Sequence, residues 1–116
     1  MSVVIYHNPK CSKSRETLAL LESKGIQPQV IKYLETELTP ALLKTLYSQL
    51  GVDSVRDMMR TKESIYKELD LARNSLSDDD LFQAMIEHPK LIERPIVVAN
   101  GKARHGRPPE QVLDIL

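Results

Sequence analysis

The sequence has a single cysteine, Cys11, no net charge and no long run of apolar residues. One cysteine excludes an intrachain disulfide and a multi-cysteine zinc site. A formal charge of zero argues against broad electrostatic binding to nucleic acid or to a membrane surface. No stretch approaches the roughly 18 apolar residues that a bilayer-spanning helix needs. Repeats, low-complexity tracts and Ser/Gly-rich linkers are also missing. The first residues, Met1-Ser2-Val3-Val4-Ile5-Tyr6, carry neither a basic leader nor a small-residue cleavage site, so they read as a strand and the cytoplasm is the expected compartment. What remains is ordinary globular composition: 116 residues, 41% apolar and 28% charged, enough for one domain over residues 1–116.

Local signals divide the chain. Val3-Val4-Ile5-Tyr6 is a β-branched and aromatic run cut off by His7-Asn8-Pro9. Pro9 disfavours a helical Asn8, so the chain stays extended or turned until about Lys10. A helix fits from about Ser12 to Lys24, with Gly25 as its stop, and Gln29 to Tyr33 makes a second strand. Such a strand–helix–strand unit favours parallel pairing. Thr39-Pro40 caps the next helix, striped by Leu42, Leu43, Leu46 and Leu50 and ended by Gly51. Short helices are predicted over Ser54 to Met59 and Ser64 to Leu69, and Ser77 with Asp78, Asp79 and Asp80 caps another that stops at His88-Pro89. Ile96 to Ala99, Asn100-Gly101 and Lys102 to Arg104 read as a hairpin with a type I′ turn, and Pro108-Pro109 opens a last helix through Leu116. The predicted class is α/β: a mixed four-stranded sheet with packed helices, on a thioredoxin-like plan, with an inserted helical lobe at about residues 37–90. Arg94-Pro95, just before a strand, stands where that plan has a cis-proline.

The loop from Tyr6 to Arg15 carries the chemistry. Cys11 falls at a predicted helix N-terminus, where unpaired N–H groups and the helix dipole favour an anion. Lys10, Lys13 and Arg15 add positive charge, and His7 adds more when protonated. Each effect lowers a thiol pKa from about 8.5, and the thiolate is the nucleophile. Ser12 and Ser14 are placed to donate hydroxyl hydrogen bonds to the sulfur or to a bound oxyanion. A free cysteine is often a small buried hydrophobe, but one that follows an Asn-Pro turn and is ringed by cations and hydroxyls is in poor company for a core. No metal is expected, because His7 and Cys11 supply only half of a tetrahedral site. Cys11-Ser12-Lys13-Ser14 is Cys-x-x-Ser, so a second thiol has to come from outside the chain.

Three motifs together, His7-Asn8-Pro9-Lys10-Cys11-Ser12-Lys13-Ser14-Arg15, Arg94-Pro95-Ile96-Val97-Val98 and Arg107-Pro108-Pro109-Glu110, strongly resemble the glutaredoxin-dependent arsenate reductase family. The resemblance runs from Val3 to Leu116 and keeps the order and spacing of the motifs. It implies a thioredoxin-like fold and reduction of arsenate to arsenite, with glutathione as co-substrate, glutaredoxin as partner and no bound cofactor. By the same resemblance Cys11 attacks the oxyanion, Arg60, Arg94 and Arg107 hold its oxygens, and His7 helps the cysteine to ionise, with Ser14 and Arg15 in support. Planar, permanently charged arginine forks suit tetrahedral oxyanions. A monomer is expected, with neither nucleic acid nor membrane among its partners. Two alternatives stand beside this one. The first is a related glutathione-linked thiol redox enzyme with another substrate. The second is a non-enzymatic regulator similar to the Spx-type proteins of the same fold, whose Cys-x-x-Cys switch would need a cysteine where Ser14 stands.

Overall fold

The computed structural model describes residues 2–116, which divide into two compact units. The first holds residues 2–37, Gln49–Gly51 and Arg94–Leu116, and the second Leu38–Ser48 and Val52–Glu93.

The first unit is built on a four-stranded mixed sheet in the order β2-β1-β3-β4. Strand β1 (Val3–His7) pairs in parallel with β2 (Gln29–Lys32) and antiparallel with β3 (Ile96–Ala99), which pairs antiparallel with β4 (Lys102–His105). Helix α1 (Ser12–Ser23) links the two parallel strands, as the strand–helix–strand pattern predicts. Strand β1 alternates cleanly: Val3, Ile5 and His7 are buried while Val4 and Tyr6 are half-buried. Ile5 and Val3 meet Leu21 of α1, Val97 and Ala99 of β3, and Val112 and Ile115 from the C-terminal segment in one apolar cluster. Complete burial of a side chain such as Ile5 contributes on the order of 1.5–3 kcal/mol. This is the α/β, thioredoxin-like sheet expected from the sequence. At the β3–β4 turn, Asn100 (φ 56°) and Gly101 (φ 76°) both take the left-handed conformation that a two-residue type I′ hairpin requires.

Three local differences from the sequence reading have simple causes. Strand β2 stops at Lys32, because Glu35 N–H and the Thr36 hydroxyl both turn back to the Lys32 carbonyl. The segment Pro109–Ile115 is a 3-10 helix, not an α-helix; from its first turn the bonds close over three residues, Gln111 N–H donating to the Pro108 carbonyl at 3.0 Å. Val55–Met58 is likewise a 3-10 turn, held by a Ser54/Asp57 capping box.

The second unit is helical, containing most of α2 (Pro40–Leu50), then α3 (Ser64–Glu68) and α4 (Asp78–Glu87). Ser77 and Asp80 form the capping box of α4, which buries Leu81, Phe82, Ala84 and Met85. Phe82 meets Tyr47 edge-on, with ring centroids 6.0 Å apart. Met58 and Met59 are buried, and Arg56 donates to the carbonyls of Leu71 (3.1 Å) and Arg73 (2.7 Å), which makes it a structural tie across the loop after α3. Among the described residues no helix is long and apolar enough to cross a membrane.

Candidate active site

Asn8 builds the turn that presents the cysteine. Its carbonyl accepts the Cys11 N–H at 3.0 Å, and its side-chain oxygen accepts the Lys10 N–H at 3.0 Å. Arg15 reaches back one turn and donates to the Pro9 carbonyl at 3.0 Å, clamping the loop from the helix side. Cys11 then occupies the N-cap of α1 with extended backbone angles, and its carbonyl accepts the first helical bond, from Arg15 N–H. No acidic residue lies in the first turn of α1, so nothing there competes with the sulfur for the positive helix end.

The half-exposed thiol is held below its ordinary pKa. Desolvation is the largest single influence and pushes it up, but four others together outweigh it: the backbone N–H of Ser14, the hydrogen bond and charge of Arg94, and the backbone N–H of Lys13. Arg107 also reaches the sulfur, Nη2 donating to Sγ at 3.6 Å, while its Nε donates to the Arg94 carbonyl at 2.8 Å. The two arginines are thus tied to each other as well as to Cys11. Each directly precedes a cis proline, Pro95 and Pro108; the sequence pointed to the first of these bonds and not the second.

Beneath the loop lies a small buried polar cluster of His7, Asn8, Ser14 and Thr17. His7 Nδ1 and Ser14 Oγ share a hydrogen bond of 2.7 Å, and Ser14 Oγ also accepts the Asn8 N–H at 3.0 Å. The His7 pKa is lowered, first by burial and then by the charges of Lys32 and Arg15. The ring is therefore neutral at pH 7, and the bond to Ser14 needs only one shared proton. This corrects two expectations. His7 is not a cation beside the sulfur, because burial and two neighbouring cations oppose its protonation. The Ser14 hydroxyl is fully buried and engaged by His7 and Asn8, so what Ser14 offers the sulfur is its backbone N–H.

Sequence reasoning overlooked Gly106. A Cβ at this position would overlap the Thr17 hydroxyl and lie 2.9 Å from Pro95 Cγ and 3.0 Å from Thr17 Cβ. Glycine here lets the chain leave β4 flush against α1 and Pro95, with Gly106 N–H donating to the Pro95 carbonyl at 3.3 Å, and hands Arg107 to the sulfur. The only signal in the sequence was the glycine of Gly-Arg-Pro-Pro, which is silent about what it packs against.

The structure thus gathers Cys11, Arg94, Arg107, His7, Ser14 and Arg15 within the first unit. Arg60 belongs to the second, where Nε pairs with Glu63 (3.1 Å), Nη1 with Glu93 (3.3 Å), and its backbone N–H donates to Leu91. No group of three or more His, Cys, Asp or Glu side chains is placed to hold a metal ion among the described residues. A low-pKa sulfur flanked by N–H donors and two guanidinium groups can attack, and hold, a small electrophilic oxyanion.

Comparison with known proteins points the same way. The family model described as "ArsC family" matches residues 6–115. An arsenate reductase of Haemophilus influenzae is 58% identical over 116 residues, all of either chain. The protein YfgD of Escherichia coli (strain K12) is 62% identical over 114 residues, covering 98% of this chain and 96% of its own. Among solved structures, an arsenate reductase from Vibrio cholerae is 75% identical and superposes with a TM-score of 0.98 over 100% of this chain and 98% of that one.

Proposed function

Because this chain belongs to the ArsC family, we propose that it reduces arsenate to arsenite through the Cys11 thiolate, with glutathione and glutaredoxin as external reductants. The observation that carries this is the convergence of Arg94, Arg107 and the first N–H groups of α1 on one half-exposed sulfur.

The Cys11 sulfur attacks arsenic and forms an S–As bond as one arsenate oxygen leaves, protonated, as water. Arg94, Arg107 and the N–H groups of Lys13 and Ser14 offset the negative charge of the remaining oxygens as it redistributes. Arsenic is still As(V) in this adduct. The glutathione thiolate then attacks the Cys11 sulfur; the S–S bond forms as the S–As bond breaks. The electron pair of that bond stays on arsenic, which leaves as arsenite, As(III), while the two thiols together have lost two electrons. Glutaredoxin thiolate next attacks the glutathione sulfur of the mixed disulfide and releases Cys11 as thiolate. A depressed thiol pKa serves this cycle at both ends, giving a nucleophile at neutral pH and a good leaving group at the close.

Arg60 enters only through the family resemblance; its guanidinium is engaged by Glu63 and Glu93. We place the reaction in the cytoplasm, where a reducing thiol pool is maintained, and with a monomer that carries no bound cofactor. The test is arsenite release by the full chain with arsenate, glutathione and glutaredoxin. Cys11→Ser is expected to abolish it, and full activity in that variant would refute the proposal.

A further inference from the structure

A hollow of about 270 Å³ opens beside the cysteine loop around His7, between Pro9 and Lys10 on one side and Lys32, Leu34 and Glu35 on the other. It lies at the small end of ligand pockets, which run from about 300 to 1,000 Å³. Its rim is preformed. Lys32 stands opposite His7 in the β1–β2 register, and the turn that carries Leu34 and Glu35 is fixed by Glu35 N–H and the Thr36 hydroxyl, both donating to the Lys32 carbonyl at 2.9 Å. Lys10 and Pro9 are held through the Asn8 side chain and the Arg15 guanidinium.

The charges on this rim are unspent. Among the described residues no ion pair engages the side chains of Lys10, Lys32 or Glu35. Leu34, 48% exposed, and the ring of Pro9 supply apolar surface between them. Two ammonium groups, one carboxylate and a short apolar floor form the inverse of a small peptide with two carboxylates, one ammonium and a methylene spacer. Lys10 directly precedes Cys11, so a peptide seated here lies beside the cysteine loop.

We propose that this hollow seats the thiol co-substrate of the reaction, a small peptide thiol with two carboxylates and one ammonium group, which is the charge pattern of glutathione. The assignment rests on the proposed function for its purpose but not for its binding chemistry: Lys10 and Lys32 take the two carboxylates, and Glu35 takes the ammonium.

The test uses the full chain and S-methylglutathione, which binds as glutathione does but cannot react. Nuclear magnetic resonance titration is expected to show shifts centred on His7 and on Lys32 through Glu35. Lys32→Gln and Glu35→Gln are each expected to weaken binding about twofold to fivefold, the scale of one exposed ion pair. The loss from Glu35→Gln should vanish with N-acetyl-S-methylglutathione, which lacks the ammonium group. In turnover, KM for glutathione should rise by the same factor while KM for arsenate stays constant. Shifts confined to other residues, or a Glu35→Gln effect equal for both ligands, would overturn the assignment. So would variants that spare glutathione but impair transfer to glutaredoxin, since the hollow would then be a protein contact. Should the chain fail to reduce arsenate yet bind S-methylglutathione with these effects, the hollow stands and the arsenate reaction falls.

Discussion

Replacing Gly106 with alanine adds one methyl group where the chain has no room for it. Carbon atoms attract best at about 3.5–4.0 Å, and the new Cβ would sit 2.9 Å from Pro95 Cγ and 3.0 Å from Thr17 Cβ, besides overlapping the Thr17 hydroxyl. None of these neighbours is the loose end of a flexible side chain. Thr17 is fully buried, its hydroxyl bonded to the Lys13 carbonyl at 2.7 Å, and Pro95 is part of the backbone turn itself. Overpacking of this kind costs about 1–3 kcal/mol. For a chain of 116 residues that corresponds to a fall in Tm of about 3–15 °C. The adjacent Arg107 has to move with the displaced backbone, loosening its 3.6 Å contact to the sulfur and its 2.8 Å bond to the Arg94 carbonyl. Thermal unfolding and the pH dependence of iodoacetamide alkylation measure the two consequences separately: a lower Tm, and an alkylation midpoint moved upward. Adding Thr17→Ala removes the hydroxyl from the collision, so the double variant should lose less stability than the sum of the single changes. A Gly106→Ala protein with unaltered Tm and alkylation midpoint would refute the idea that glycine is needed here to deliver Arg107.

Other outcomes follow from the same geometry. Cys11 alkylation should be half-maximal below the usual thiol value of about 8.5, and Arg94→Gln should move that midpoint up. In turnover, Arg94→Gln is expected to lower kcat/KM for arsenate by about 10²-fold, the usual loss on removing one oxyanion donor, and Arg94→Lys should recover only part of it. His7 should titrate below its ordinary value of about 6.5 in an imidazole NMR titration. Because the unfolded chain then binds a proton at His7 more readily than the folded one, stability should fall as pH drops from about 6.5 toward the folded-state pKa. His7→Gln should flatten that part of the stability profile, and an unchanged slope would show that acid sensitivity arises elsewhere.

Features decided within a few residues were legible in the sequence. Asn100-Gly101 announces its hairpin because both positions need left-handed backbone, Ser77 announces α4 by its cap, and Asn8-Pro9 before Cys11 announces a turn into a helix. The placement of Cys11 at a helix N-terminus was readable for the same reason. Features decided by packing were not. Nothing local says that Ser14 turns its hydroxyl inward to His7, that Lys32 on the neighbouring strand helps keep His7 neutral, or that Gly106 lies against Thr17 and Pro95. Arg94 and Arg107 were identifiable as candidates by motif, but the bond from one guanidinium to the carbonyl of the other residue depends on the β3–β4 hairpin bringing them together. Arg56 and Arg60, alike in sequence as two basic residues one turn apart, separate only in three dimensions: one binds loop carbonyls and the other binds carboxylates.

The contact between Arg107 and Cys11 spans 96 positions of chain. During synthesis the cysteine therefore emerges long before the guanidinium groups that tune it, and β3, which adjoins β1 in the finished sheet, also arrives late. Until then the nascent thiol has its helix N-terminus at most, and keeps a more ordinary reactivity. Activation of the sulfur is in this sense a report that distant parts of the chain have come together, since a truncated product retains the cysteine and its helix N–H groups but not the two arginines. A thiol-reactive probe at neutral pH would then distinguish completed molecules from partial ones by rate alone, using no signal other than the closure of that long-range contact.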